Sequence, residues 1–401
     1  MKITDVKCHL LSGRWTGDPS FPQDVHATAF VQLDTDEDVV GLGEISQAYF
    51  APETVQSLVD YFKPLLVGRD PMQITRLTRA MQSDSVWWAR YGAGRSVIGG
   101  IEIALWDLAG KALGVPVCQL LGGAVRDAVK VYASGGPSVW PSEQNVEKVE
   151  FYRSVGYRAA KLSTYFYKWA DTAAGLPRRM ETVRLPHAAK LRHIEESFKR
   201  LRDHFGDEMD LAIDGHEGAE AEPIGVQEAI EIAHVLAPYR LAFYEEPLQY
   251  SDVAGYCELR SRSRVPIAGG ESLCGVDQFH PFIVGRGMNF VQPDIGYVGG
   301  IAETIKIVHH AEAHGIGAAM HTGGCVGPAM AASWHVATAM ASVEWLEIVV
   351  APRLVQKDFV IETLEPRNGV IGVPTGPGLG VRLNAELLEK YRFVPGSGER
   401  T

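Results

Sequence analysis

Apolar and polar positions follow two different rhythms along this chain, and the change falls near residue 126. Before it, "ATAFVQLDTDEDVVGLGEI" reads strand, acidic turn, strand, so a hairpin with "DTDED" as its turn is expected. "SVIGGIEIALWDLAGKAL" then places Ile98, Ile101, Leu105 and Leu108 at three- and four-residue spacing, which predicts a helix stopped by Gly114 and Pro116. This part is an α+β unit with a core of its own.

After residue 126 the pattern becomes short apolar runs separated by helix-like stretches. Eight runs stand out: "VKVYAS", "RAAKLST", "DLAIDGH", "LAFYEEP", "VPIAGGES", "FVQPDIG", "GIGAAMHTG" and "WLEIVV". Strand-helix alternation implies a parallel sheet, and eight units over roughly 250 residues match a closed (β/α)8 barrel of the TIM type. A doubly wound open sheet would show five or six units and a Gly-rich first turn, which this chain lacks. The expected plan is α/β: a capping domain over 1–125, a barrel over 126–365, and a Pro/Gly-rich tail of about 366–401 that returns to the first domain. The stretch from Tyr165 to about Phe205 is longer than a usual βα connection and carries "YFYKW". Covering the barrel mouth and contacting another subunit are equally open roles for it.

Composition narrows the partners. Over 401 residues, 46% hydrophobic content supplies a large core, and a formal charge of −11 without any basic, aromatic-interleaved cluster argues against nucleic acid. No run of about 18 apolar residues suggests a membrane span, and the start "MKITDVKCHLLSG" lacks a signal-like core. The five cysteines are scattered and odd in number, so neither a disulfide framework nor a zinc cluster is suggested. A reducing, cytoplasmic setting is expected.

In such a barrel the C-terminal strand ends hold the site, and here nearly every one carries a polar group. The third run ends in Asp214 and His216, the fourth in Glu245 and Glu246, the fifth in Glu271, the sixth in Asp294, the seventh in His321, and the eighth carries Glu347. One acid after a strand is commonly a helix cap. Three from successive strands on one rim would repel each other unless protonated or met by a cation, and oxygen-only donors point to a hard ion, Mg2+ before Zn2+. Strand alternation turns Lys161 and Ser163 the same way, and Asp214 with His216, but allows only one of Glu245 and Glu246 to face inward. His321 and Asp294 lie on neighbouring strands about 4.8 Å apart, close enough for the carboxylate to orient the imidazole. These are the parts needed to remove a proton next to a carboxylate: a cation for the enediolate charge and His321 as base.

"ALWDLAGKALGVPVCQLLGG", "LAIDGHEG", "FYEEPL", "AGGES", "QPDIGYVGGI", "MHTGGCVGP" and "WLE" together resemble the mandelate racemase subgroup of the enolase superfamily over almost the whole chain. The resemblance implies a capping domain completed by the C-terminal tail over a modified (β/α)8 barrel. It also implies Mg2+ held by Asp214, Glu245 and Glu271, a His321/Asp294 dyad, and Glu347 stabilising the intermediate. Racemases of this subgroup carry K-x-K at the second strand. Here Lys161 stands in "AKLST" with Ser163 in the place of the second base, which disfavours two-base racemisation. "D-x-H" at the third strand resembles the acid sugar dehydratases of the subgroup, those acting on galactonate above all, and implies His216 as general acid.

The expected activity is therefore Mg2+-dependent dehydration of a sugar acid, an aldonate or aldarate, to a 2-keto-3-deoxy acid, with Lys161 beside the enediolate charge. An epimerase or cycloisomerase would use the same enediolate. A metal-dependent hydrolase would need a set such as H-x-H at the first strand, which "VYASGG" lacks, and a non-catalytic binding protein would hold ligand without turnover. Specificity is expected from "RWTGDPSFPQDVHA" and "DSVWWARYGAGR", with Trp15, His26, Arg90, Tyr91 and Tyr165 as candidate sugar contacts and Arg90 or Arg95 as readers of a distal carboxylate. The subgroup resemblance implies a homo-oligomer.

Overall fold

The computed structural model describes residues 1–14, 25–135, 145–163, 166–170, 179–183, 185–219, 222–350, 358–362 and 364–398. An antiparallel sheet of β1 (Ile3–Arg14), β2 (Val25–Thr35) and β3 (Gly41–Glu44) opens the chain. The β2–β3 hairpin is the one the alternation predicts. β1 escaped it for a local reason: its register with β2 shifts between Ile3 and Asp5, so Ile3 and Val6 are both buried although three residues apart. An irregularity of that kind breaks the period of two.

Three helices cover this sheet: α1 (Pro52–Leu66), α2 (Ile74–Asp84) and α3 (Gly92–Leu113). α3 is buried on nearly every side because it lies between two cores. Its Ile98, Ile101, Leu105 and Leu108 join Val31, Leu33 and Phe62, whereas Ile103 joins the barrel core. Each such burial contributes about 1.5–3 kcal/mol. Close approach requires glycine here: a Cβ on Gly43 would sit 1.9 Å from the Gly100 carbonyl oxygen. The helix ends where expected, at Gly114 with φ 71°, and a short α4 (Val117–Leu120) follows.

The barrel then runs β4 (Ala128–Ser134), α5 (Asn145–Ser154), β5 (Ala159–Ser163), the antiparallel hairpin β6 (Phe166–Ala170) and β7 (Arg179–Val183), α6 (His187–Phe205) and β8 (Asp210–Asp214). It continues through α7 (Val226–Leu236), β9 (Tyr244–Glu245), α8 (Val253–Arg262), β10 (Ile267–Gly269), α9 (Val276–Val284) and β11 (Phe290–Val291). α10 (Ile295–Val298), α11 (Ile301–Glu312), β12 (Gly317–Met320), α12 (Pro328–Ala339) and β13 (Val343–Val349) complete it. All eight apolar runs become parallel strands. The ring closes where β13 pairs with β4, from Leu346 opposite Val131 to Val349 opposite Ser134. Tyr132 and Phe243 fill the interior against Ala159, Ala212 and Ala268, the layered packing expected of such a barrel.

Two expectations need adjusting. The long stretch after β5 is a hairpin followed by an ordinary barrel helix, since α6 packs against α7 like its neighbours. The tail reaches the barrel before the cap: β14 (Val370–Gly372) pairs antiparallel with β4. Only then does Leu379 donate its N–H to Asp107 of α3, and Val394 its own to Ser12 of β1. A final helix, α13 (Ala385–Lys390), is N-capped by the Asn384 side chain. Among the described residues no helix is long and apolar enough to cross a membrane.

Candidate active site

The strand ends bring eight of the expected residues to one rim. Asp214 ends β8, Glu245 ends β9 beside it in register, and Glu271 follows β10. One carboxylate oxygen from each lies within 4.8 Å of the others. Oxygens around a six-coordinate ion at about 2.1 Å are separated by about 3–4 Å, so this donor set fits a hard divalent cation.

Lys161 projects from the second strand of the ring into this charge. Its ammonium hydrogen-bonds to Glu245 and lies 3.2 Å from Asp214 Oδ2 and 3.1 Å from Glu347 Oε1. Burial disfavours the ammonium, but Glu245, Glu347 and Asp214 outweigh it and hold its pKa well above the ordinary lysine value. The same crowding works on the acids. Burial, with Asp214, Glu271 and Glu347 alongside, raises Glu245 well above the usual range against the pull of Lys161. Glu347 is lowered, because Lys161 and His321 overcome its burial.

His321 and Asp294 meet as a pair. Asp294 leaves β11 as the N-cap of α10, with Oδ1 accepting from Gly296 N–H at 2.8 Å. Oδ2 is thereby aimed at the next strand, where His321 Nδ1 lies 2.8 Å away. The other ring nitrogen, Nε2, faces the cluster, 3.3 Å from Glu271 and 3.6 Å from Glu347. Although burial opposes it, Glu271, Glu347 and Asp294 raise the imidazole well above its ordinary pKa. Glu347 itself is fixed by Thr322, whose N–H donates to it at 3.0 Å.

His216 stands apart from that pair. Its own N–H donates to Asp214 Oδ1 at 2.9 Å, while its ring nitrogen is 4.0 Å from the same oxygen. Its side chain is 38% exposed against 13% for His321, which leaves the imidazole open to a bound molecule. The backbone at His216 has φ 51°, a conformation that costs about 1–3 kcal/mol in a non-glycine residue and gathers at functional sites.

Glu246 corrects the alternation argument. The strand ends at Glu245, and a left-handed backbone at Glu246, φ 36°, frees it from the period of two. Its buried carboxyl lies with His216 and Glu271, ligand atoms again within 4.8 Å, so both adjacent glutamates reach the site. Sequence reasoning also passed over Gln292, whose amide donates to Glu245 Oε2 at 2.5 Å. Its signal was present, since it precedes Asp294 by two positions in "QPDIG".

The expected specificity residues fare differently. Trp15 and Tyr165 lie outside the described residues, and of His26 only the backbone is described, opposite Gly13. Arg95 is buried, with Nε donating to the Val298 carbonyl at 2.8 Å and an ion pair to Glu303 at 3.2 Å. Tyr91 donates its hydroxyl to Asp277 at 2.5 Å, and the exposed Arg90 lies over the Tyr91 ring. The Tyr91–Asp277 hydrogen bond ties the cap to α9 of the barrel.

The chain matches known proteins along most of its length. Residues 23–122 match the family model of the mandelate racemase / muconate lactonizing enzyme N-terminal domain, and residues 145–387 match that of the enolase C-terminal domain-like family. The chain is 31% identical to a D-galactonate dehydratase of Xanthomonas campestris pv. campestris (strain B100), covering 98% of this chain and 95% of the relative. A D-galactonate dehydratase of Pectobacterium atrosepticum is 30% identical, with 98% and 96% covered. Among solved structures, the 3,6-anhydro-D-galactonate cycloisomerase of Zobellia galactanivorans superposes with TM-score 0.81 at 27% identity over 98% and 99% of the two chains. An enolase of Agrobacterium radiobacter bound to sodium and L-malate does so with TM-score 0.80 at 26% identity over 98% and 96%.

Proposed function

We propose, for a chain that belongs to the mandelate racemase / muconate lactonizing enzyme family of the enolase superfamily, the Mg2+-dependent dehydration of a sugar acid to a 2-keto-3-deoxy acid. One observation carries this reading: two imidazoles, His321 held by Asp294 and His216 at the open mouth, flank a single carboxylate cluster. Asp214, Glu245 and Glu271 would hold the ion, which supplies positive charge for the substrate carboxylate and the enediolate that grows from it.

The protein's own groups do the proton work. With the charge of Glu271 offset by the cation it would hold, the neutral ring of His321 takes the proton from C2 at Nε2, while Asp294 keeps Nδ1–H in place. Negative charge builds on the substrate carboxylate, where the Lys161 ammonium meets it, itself held in place by Glu347 at 3.1 Å. The C3–O bond then breaks, and His216 gives its proton to the departing hydroxyl, which leaves as water. The resulting enol takes a proton at C3 to become the 2-keto acid. Ser163, paired with Asp214 in register, offers no base for the opposite face, which supports one-face chemistry.

A second reading, cycloisomerisation through the same enediolate, is favoured by the likeness to the Zobellia enzyme. Turnover of aldonic and aldaric acids with Mg2+, read by semicarbazide trapping of α-keto acids with an EDTA control, separates the two. A metal-dependent signal supports dehydration. C2–H exchange into deuterated solvent without keto acid, and with a product that has lost no water, removes it in favour of isomerisation.

A further inference from the structure

One segment of the cap touches the chain just beyond each member of the dyad. Glu44, at the end of β3, is 1% exposed. Its carboxylate accepts from Val326 N–H at 2.9 Å, from Gly327 N–H and Ala329 N–H at 3.0 Å each, and from Thr28 Oγ1 at 3.1 Å. The backbone groups close the loop 322–327, which begins directly after His321, and open α12. Two residues on, Ser46 Oγ lies 3.9 Å from Cys325 Sγ of that loop. The same oxygen packs on Gly296, where a Cβ would come within 1.8 Å of it, and Gly296 N–H is the group that caps Asp294. Tyr49 completes the contact, its ring 2.6 Å from the position of a Cβ on Gly324.

Burying a carboxylate is costly unless its oxygens are fully hydrogen-bonded, and burial does push Glu44 above its ordinary pKa against three backbone donors. Such a group does more than close a helix end that a serine would close. A carboxylate can hold several N–H groups at once, and charge-assisted hydrogen bonds are the strong ones, so it fixes a loop with no regular structure of its own.

We propose that Glu44 is a positioning residue for His321: from the capping domain it clamps loop 322–327, and together with Ser46 it sets the spacing of the His321–Asp294 pair. This rests on the reading of His321 as the base. The cap would then shape the proton-abstracting group as well as the sugar-binding loops.

The test compares Glu44→Gln with Asp107→Asn in the full-length, Mg2+-loaded protein. Asp107 is an equally buried cap carboxylate that accepts from Leu42 and Leu379 N–H, away from the dyad. An amide at position 44 turns its NH2 toward backbone donors and must displace the loop. C2–H exchange and kcat are expected to fall tenfold or more in Glu44→Gln with KM within twofold, while Asp107→Asn loses thermal stability but keeps its exchange rate. Ser46→Ala, a milder change, is expected to slow exchange about threefold and serves if Glu44→Gln does not fold. The low-field proton resonance of His321 Nδ1–H needs no substrate, and it should shift or broaden in the Glu44 and Ser46 variants only. Failure of the dehydratase reading would appear in the wild type as absent turnover, leaving the resonance to judge Glu44. Exchange and resonance in the Glu44 and Ser46 variants that match Asp107→Asn would overturn the proposal.

Discussion

Asp294 and His321 are joined across two neighbouring strand ends by a 2.8 Å hydrogen bond, and the same carboxylate caps the helix that follows its strand. The cap fixes the carboxyl plane, and the plane fixes the ring. Asp294→Asn keeps the shape but can present its NH2 to Nδ1, favouring the wrong tautomer. C2–H exchange should drop by about 10²–10⁴-fold, with circular dichroism unchanged, as measured by deuterium incorporation in D2O.

His216 acts, in the proposed chemistry, after the C2 proton has gone. His216→Asn should therefore retain exchange within a few-fold while α-keto acid formation falls about 10²-fold or more. Normal keto-acid formation by this variant would exclude the imidazole from the elimination.

The carboxylates Asp214, Glu245 and Glu271 repel one another in the folded protein, so an ion that binds them binds the native state preferentially. Melting temperature should rise with Mg2+ concentration and fall on adding EDTA, following mass action. Glu271→Gln should lose most of that rise along with activity. A metal-independent melting curve in the wild type would remove these residues as ligands.

His335 supplies a pH dependence away from the site. It is fully buried in α12, and its Nδ1 accepts from Cys118 N–H at 3.0 Å, which requires the neutral ring. Burial lowers its pKa to about 3 from an ordinary 6.5. The unfolded chain therefore binds the proton first, so this contribution is complete above pH 6.5 and is lost as pH falls toward 3, at about 1.4 kcal/mol per unit. Glu102, raised to about 7 by burial, works in the opposite sense between its ordinary 4.5 and 7. The comparison of His335→Gln with wild type isolates the histidine: denaturant melts at pH 5 and pH 7 should show a smaller acid loss in the variant.

The sequence by itself determined the architecture and the chemical character of the site. Eight apolar runs with polar ends are a local property of the chain, since each strand must bury both faces and each end must meet water. From them the placing of Asp214, Glu271, Asp294, His321 and Glu347 on one rim followed, because these residues end the strands, whereas the choice of Glu245 over Glu246 as a ligand came only from the family resemblance. Tertiary structure alone decided the rest. Glu246 reaches the site through a left-handed turn that no period describes, and Arg95 is held by Val298 and Glu303, partners some 200 positions away in the chain. Glu44 holds a loop 282 residues distant. Its sequence context, the end of a short strand, says nothing about what lies opposite, and contacts between domains depend on how two finished surfaces dock. Patterning records which face a residue is turned to, whereas the identity of its neighbour is set only when the whole chain has closed around it.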